Sequence, residues 1–390
     1  MLVMNYRKHR DFELSEIGIG TYSLSGVYGN VDINMFKEML KRAYDLGINF
    51  FDTAEAYDEA EEILGDAVKD FRKDIYISSK VGVKGGNKPN LSKEYIKSAC
   101  EESLRKLQTD YIDIYHVHFN DPYTPVEETI SALEQLVKEG KIRKYGLGHL
   151  SKDVFKKYFS EGNVFSVIME MNPLYYDKEV LTLCRKYNVA IIPFSVTGRG
   201  LLTDEFWNKD DYEFESGDIR NIDPQFFKDN FEFAKKVSGK FKKIADKYNK
   251  TLVQVTISWI LNQNGVVSAL TGPSKITHLE ENIGGSGWQL KSEDLAELDD
   301  FLRAEQKNLE VKQKETINNI LGKSLPKDVE QSFVDLIYVI ETSIKLKLIT
   351  EKDILPIFYD LFALKSNLAK DDISELEQIK FKLQNLIETK

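Results

Sequence analysis

The sequence predicts an α/β protein, a (β/α)8 TIM barrel followed by an all-helical C-terminal extension. Three observations carry this. Over the first three hundred residues, short β-branched or apolar runs alternate with longer amphipathic ones, eight times in all. No Gly-x-Gly-x-x-Gly follows the first run, so the open doubly wound dinucleotide-binding sheet loses its main signature. After Ala304 no strand-like run is convincing, and helical spacing takes over.

The predicted strands are Ile17–Thr21, Asn49–Thr53, Ile75–Val81, Tyr111–His118, Tyr145–Leu150, Val167–Met171, Ala190–Val196 and Ser268–Gly272. Each is short, apolar and bounded by turn residues, as a strand buried on both faces must be. Met35 to Tyr44 has apolar residues at helical spacing and stops near Gly47. Ser92 caps a helix to about Leu107, and Pro125 opens another that closes before Gly140. Phe226 to Tyr248 and Leu252 to Leu261 supply two more. The barrel is thus assigned to residues 1–304 and the extension to 305–390, as a three-helix unit. Its helices start near Pro326 and Asp328, near Thr350 and Asp353, and at Asp372. Val329, Phe333, Leu336, Ile337, Ile340 and Ile344 form one apolar stripe, and Leu355, Phe358, Leu361 and Phe362 another. Stripes this wide need covering. A bundle of three short helices can bury part of them internally, but a unit of roughly 65 residues is marginal alone, so docking on the barrel or on a second copy in a homo-oligomer is expected.

Composition narrows the function. The chain has 390 residues, 42% hydrophobic and 30% charged, as expected of a soluble globular protein. A net charge of −10 with no offsetting basic stretch argues against nucleic acid or an anionic membrane as partner. The two cysteines, Cys100 and Cys184, form no CxxC unit, which speaks against a metal cage and fits a reducing cytoplasm. The polar start, Met1 to Phe12, has no apolar core behind its charges, so no signal peptide is expected. Apolar runs such as Val189 to Phe194 are far shorter than the roughly 20 residues a bilayer requires.

In such a barrel the working residues lie just beyond the C-terminal strand ends. The second strand runs into Asp52-Thr53-Ala54-Glu55-Ala56-Tyr57, the third ends in Ser78-Ser79-Lys80 and the fourth in His116-Val117-His118. An acid, a phenol, an amine and an imidazole therefore share one rim. A free phenol, pKa about 10, is a weak acid at neutral pH; an ammonium at Lys80 would lower that value, and Asp52 would hold the ammonium. His118 would orient a carbonyl oxygen. Singly, these residues read as a structural ion pair, a packing aromatic and a core histidine; their joint placement favours chemistry. At the other end, the seventh strand enters Ser195-Val196-Thr197-Gly198-Arg199-Gly200-Leu201-Leu202. The eighth enters Gly272-Pro273-Ser274-Lys275 and then a helix. Small residues and a helix N-terminus suit a phosphate here, although tight turns with a surface lysine would read the same way.

These motifs resemble the aldo-keto reductase superfamily, in the branch of the potassium channel β subunits and bacterial general-stress reductases. The likeness spans about Leu14 to Leu302. It rests on Gly18-Ile19-Gly20-Thr21, Phe51-Asp52-Thr53-Ala54-Glu55-Ala56-Tyr57, Ser103-Leu104-Arg105-Lys106-Leu107, Asp110-Tyr111-Ile112-Asp113-Ile114-Tyr115, Gly198-Arg199-Gly200-Leu201-Leu202 and Leu279-Glu280-Glu281-Asn282. The resemblance implies a catalytic tetrad of Asp52, Tyr57, Lys80 and His118, and an extended NADPH, preferred over NADH, with its nicotinamide stacked on Phe194. It implies pyrophosphate contacts from Ser195, Thr197, Gly198, Arg199 and Leu201, and a 2′-phosphate met by Ser274, Lys275 and His278 beyond Gly272. Glu281 and Asn282 would border the adenine, and Gly20, Thr21 and Tyr22 the cofactor and substrate.

Three features depart from the family pattern. One is Phe194, where the stacking residue is commonly Tyr, a change that keeps the ring that stacking needs. Gly148-His149 stands where Ser-Asn usually follows the fifth strand, with His149 able to replace one bond to the nicotinamide carboxamide. Ile168 stands where the sixth strand usually has Gln. The resemblance implies reduction of a small-molecule aldehyde or ketone by hydride from NADPH, with Tyr57 giving the proton. The rival is a cofactor-binding regulatory or redox-sensing protein of low turnover.

Overall fold

The structure is a computed structural model that describes residues 4–84, 88–208, 213–350, 353, 354, 356, 357, 360, 361, 364 and 373–389. It opens with an antiparallel hairpin, β1 (Tyr6–His9) and β2 (Phe12–Ser15). Eight parallel strands follow: β3 (Ile17–Gly20), β4 (Phe50–Asp52), β5 (Tyr76–Val81), β6 (Ile112–Phe119), β7 (Ile142–His149), β8 (Ser166–Asn172), β10 (Ala190–Phe194) and β11 (Ala269–Thr271). The short β9 (Tyr175–Tyr176) turns back antiparallel along β8. Hydrogen bonding runs through the order β10-β8-β7-β6-β5-β4-β3-β11, and the ring closes where the Ile191 N–H donates to Gly265 O and the Val267 N–H to Ile191 O. The predicted barrel is the observed one, each predicted strand lying within a few residues of its place.

Helices alternate with the strands: α1 (Ile33–Asp45), α2 (Ala60–Val68), α3 (Lys93–Leu107), α4 (Val126–Lys138), α5 (Lys152–Glu161) and α6 (Lys178–Lys186). A short turn α7 (Asp204–Trp207), α8 (Lys228–Tyr248), α9 (Leu252–Leu261) and α10 (Ile276–Ile283) complete this part. Asp32 starts α1 by accepting the N–H groups of Asn34 and Met35, which satisfies two otherwise unpaired donors. Ser92 does stand before α3, but its hydroxyl donates to Asn90 Oδ1 (2.8 Å) rather than capping the helix, and Glu128 Oε1 accepts the Lys93 N–H at 3.1 Å instead.

The hairpin plugs the barrel's N-terminal end. Phe12 and Leu14 are buried with Phe50, Ile114, Phe165, Ile168, Ile192 and Leu270. Below this cluster the Asp113 carboxylate, fully buried, takes the guanidinium of Arg72 at 2.8 Å, that of Arg143 at 2.8 Å and the Ile77 N–H at 2.9 Å. Polar satisfaction and apolar packing at this end leave the opposite rim to carry other side chains.

The chain divides into two compact units, residues 1–212 with 238–295 and residues 213–237 with 296–390. Ala304, the predicted domain boundary, lies inside one uninterrupted helix, α11 (Ser292–Leu321). Nothing at Ala304 breaks a helix: the flanking stretch Phe301-Leu302-Arg303-Ala304-Glu305 holds neither Gly nor Pro. The second unit adds α12 (Val329–Lys345), capped by Asp328 accepting from the Gln331 N–H, and α13 (Ser374–Glu388). Its core joins Ile317 and Leu321 of α11 to Val329, Phe333, Leu336, Ile337 and Ile340 of α12 and to Leu376, Ile379 and Leu383 of α13. The first predicted stripe is therefore covered largely within its own unit. Of the second, Leu361 is buried, whereas Leu355, Phe358 and Phe362 lie outside the described residues, as does Asp372. Lys228 pairs with Asp335 at 2.9 Å, and the Gln313 amide donates to Asn230 Oδ1 at 2.7 Å, so residues 213–237 belong to this unit by side-chain bonds as well.

Candidate active site

Neighbouring strand ends bring four of the predicted residues together. Asp52 is the last residue of β4 and Lys80 lies near the end of β5; His118 lies near the end of β6. Lys80 Nζ donates to Asp52 Oδ2 at 2.5 Å and to the Thr53 carbonyl at 2.8 Å, while the Ser78 hydroxyl donates to the other Asp52 oxygen. Tyr57, on the loop after β4, has its ring centroid 4.7 Å from Lys80 Nζ and 5.8 Å from the His118 ring, edge to face. Glu55 braces that loop by accepting the Gly82 N–H (2.6 Å) and the Tyr95 hydroxyl.

Electrostatics set the proton positions. Burial pushes the Lys80 ammonium below its ordinary range and the Asp52 carboxyl above its own, and their mutual bond opposes both. Burial, and next the Lys80 charge, hold His118 well below the ordinary imidazole range, so it is neutral at pH 7. The Tyr57 phenol is pushed up, not down as the sequence suggested, first by burial and then by the Asp52 carboxylate. Asp52, at 2.5 Å, compensates the Lys80 charge that was expected to favour the phenolate. The phenol therefore keeps its proton at neutral pH.

An aromatic wall surrounds these groups. Tyr22 lies 5.0 Å from Tyr57, Phe119 stacks on His149 at 4.7 Å and 11°, and His149 lies 5.2 Å from Phe194. His149 ends β7 on the exposed rim, and Gly148 before it could not bear a side chain there: a Cβ would stand 2.7 Å from the His118 carbonyl oxygen. Ile168 is buried in the barrel core at 2% exposure and does not reach the rim. Two residues further along β8, Glu170 pairs in register with Phe194. The sequence reading passed over Glu170, although a lone acid in Ser-Val-Ile-Met-Glu-Met-Asn, two positions from a core residue, marks where that strand meets water.

Beyond Phe194 the backbone takes left-handed φ at Ser195 (54°), Gly198 (55°), Arg199 (54°) and Gly200 (102°). Non-glycine residues rarely adopt this region, which bends the strand end into a compact turn. Thr197 accepts the Gly200 and Leu202 N–H groups within it, and the Leu201 side chain is fully buried. Gly20 closes β3, the Thr21 N–H donates to Asp52 O at 2.9 Å, and Gly272 follows β11 with nothing within 4 Å of where a Cβ would stand. Lys275, exposed, is the residue before α10; Ser274 Oγ lies 3.3 Å from His278 Nδ1. Glu281 and the buried Asn282 lie in the last turn of α10. Three buried polar atoms on the rim, Thr21 Oγ1, His118 Nδ1 and Ser195 Oγ, have no hydrogen-bond partner among the described residues. Cys100 and Cys184 are buried thiols pushed up to about 12, and no cluster of metal-ligating side chains occurs among the described residues. Nor is any described helix long and apolar enough to cross a membrane.

Comparison with known proteins decides the family. The model of the aldo/keto reductase family matches residues 16–303. The chain belongs to the aldo/keto reductase family. Among its curated relatives, the aldo-keto reductase str7 of Strobilurus tenacellus is 35% identical over 297 residues, covering 73% of this chain and 87% of the relative. The Schizosaccharomyces pombe protein named aldo-keto reductase yakc [NADP(+)] is 32% identical over 292 residues, covering 71% and 85%. Among solved structures, a glycerol dehydrogenase of Gluconobacter oxydans superposes with a TM-score of 0.70 at 27% identity, covering 77% of this chain and 96% of that one. The family match stops inside α11, so it takes in residues 213–237 and 296–303 of the second unit and leaves residues 304–390 outside. As in other aldo/keto reductases, the candidate chemistry is that of an oxidoreductase.

Proposed function

We propose that this aldo/keto reductase transfers hydride from NADPH to an aldehyde or ketone, with Tyr57 delivering the proton. The observation that carries the reading is the protonated Tyr57 ring set against both Lys80 Nζ and the neutral His118 ring. The rim fits a dinucleotide. Its buried polar atoms at Thr21, His118 and Ser195 lack partners among the described residues, a Cβ at Gly272 or Gly200 would meet open space, and Phe194 ends its strand beside the tetrad. When bound, the cofactor supplies hydride to the carbonyl carbon. This chain's residues do the rest: His118 orients the carbonyl oxygen, Tyr57 gives that oxygen its proton, and the Lys80–Asp52 pair positions the phenol and answers the charge left on it. The product is an alcohol.

The test is steady-state consumption of NADPH against a panel of carbonyl compounds. Saturable, carbonyl-dependent turnover supports the reading. Tight NADPH retention without turnover would sink it in favour of a cofactor-dependent regulatory protein, the role that the unusual Gly148-His149 pair and the appended helical unit would suit.

Cofactor choice gives a second test. Ser274, Lys275 and His278 gather at the start of α10, where the helix's unpaired N–H groups also favour an anion. NADPH should bind at least about tenfold more tightly than NADH, since a charge-assisted contact contributes roughly 1.5–3 kcal/mol. Lys275→Met should erode that ratio by weakening NADPH alone in fluorescence titrations. Equal weakening of the two cofactors would show that Lys275 meets a phosphate they share.

A further inference from the structure

We infer that Glu61 is a positioning residue for the proton transfer: through the Ser79 hydroxyl it pins the segment that carries Tyr57 to the strand that carries Lys80. The inference rests on the proposal that Tyr57 gives the proton. Tyr57 stands on the short connection between β4 and α2, and Glu61 lies four residues further on, in the first turn of α2. Its carboxyl group, 1% exposed, accepts the hydroxyl of the fully buried Ser79 at 2.6 Å. Ser79 immediately precedes Lys80 on β5. Side chains alternate along a strand, so Lys80 meets Asp52 on the inner face while Ser79 meets Glu61 on the outer one.

Little between Tyr57 and Glu61 gives slack. The Ala60 N–H donates to the Tyr57 carbonyl at 2.9 Å, and Asp58 takes a left-handed φ of 49°, a region that non-glycine residues enter uncommonly. A shift at the start of α2 is therefore passed to the phenol. On the other side of Lys80, Glu55 accepts the Gly82 N–H at 2.6 Å, so the stretch from Glu55 to Glu61 is fastened to β5 at both ends. Stability alone is a poor account of Glu61. Its other oxygen makes no close hydrogen bond among the described residues, with Lys106 Nζ 4.0 Å away and the Ser103 hydroxyl beside it. Burial raises the carboxyl above its ordinary range, and a buried acid so incompletely compensated is a weak source of stability. What Glu61 does supply is a short bond at fixed geometry, next to the lysine over which the phenol must lie.

The experiment measures kcat, KM for a carbonyl compound, NADPH Kd by fluorescence titration and thermal unfolding, all on the full-length protein. Ser79→Ala removes one hydroxyl and should lower kcat about 10- to 100-fold, as a slight displacement of a reacting group does. KM and the NADPH Kd should stay within about threefold. Glu61→Ala should behave alike, and Glu61→Gln, which keeps an oxygen to accept the Ser79 hydroxyl, should recover kcat to within about threefold of wild type. In a Tyr57→Phe background, Ser79→Ala should lower the residual rate no further, because its effect runs through the phenol. A wild-type kcat in Ser79→Ala overturns the inference, and that variant decides the matter even where Glu61→Ala does not fold. An equal loss in the Tyr57→Phe background overturns it as well, as does a Glu61→Gln variant no better than Glu61→Ala. None of these results touches the reductase proposal. Tyr57→Phe alone turning over at the wild-type rate removes the proposed donor, and this inference with it.

Discussion

Replacing Tyr57 by Phe is expected to lower kcat for carbonyl reduction by about 100- to 10,000-fold, the usual contribution of a positioned general acid. The substitution removes one oxygen and keeps the ring that packs on Tyr22 and lies over Lys80 Nζ, so the Kd of NADPH should change by less than about threefold. A loss confined to kcat distinguishes a group acting in the transition state from one that merely shapes the pocket. The pH profile follows from the same geometry. Burial and the Asp52 carboxylate raise the phenol above its ordinary range, so the donor form persists as pH rises through neutrality. Reduction should hold level across neutral pH and fall only above the ordinary tyrosine range. A phenylalanine variant turning over at the wild-type rate would show that some other group gives the proton.

Asp113→Ala is expected to cost about 3–5 kcal/mol of stability, the price of leaving a buried guanidinium without its counter-charge. Asp113 is fully buried and holds Arg72 and Arg143, and Arg72 is itself 8% exposed. The remaining Arg72 acceptors, the carbonyls of Ile75 and Tyr111 and the Thr109 hydroxyl oxygen, can accept hydrogen bonds but cannot neutralise the charge. Thermal unfolding should move down by on the order of 10 °C. Asp113 lies near the start of β6 and His118 near its end, so kcat/KM of the folded protein should stay near wild type. Unchanged melting would mean that Arg72 finds water on losing its partner, and the ion pair would then be a surface feature in energetic terms.

The barrel strands were legible because each is buried on both faces and so reads as an unbroken apolar run. Where charge interrupts a strand the reading failed: β7 starts at Ile142, earlier than expected, because Arg143 and Lys144 serve the plugged end of the barrel. The hairpin β1–β2 escaped notice for a related reason, since Tyr6-Arg7-Lys8-His9 is largely exposed and mixes charge with aromatic character. That Asp52, Tyr57, Lys80 and His118 share one rim was legible from strand ends alone, but the direction of the Tyr57 shift was not, because it depends on how closely Asp52 compensates Lys80. Glu170 needed register as well as sequence: a shift of two strand positions decides whether β8 presents Ile168 or Glu170 beside Phe194. The helical unit hid its true extent because α11 continues without a breaker and because residues 213–237 contribute from the middle of the chain.

That interleaving has a bearing on biosynthesis. Residues 213–237 emerge from the ribosome before β11 and α10, yet Ile222, Lys228 and Asn230 meet their partners only when α11 and α12 have been made. At roughly 5–20 residues per second, the barrel's last strand is available seconds before those partners exist. Until then the nascent chain carries residues 213–237 without the partners that α11 and α12 supply. An excised fragment beginning at residue 305 would lack these residues altogether, together with the first turns of α11.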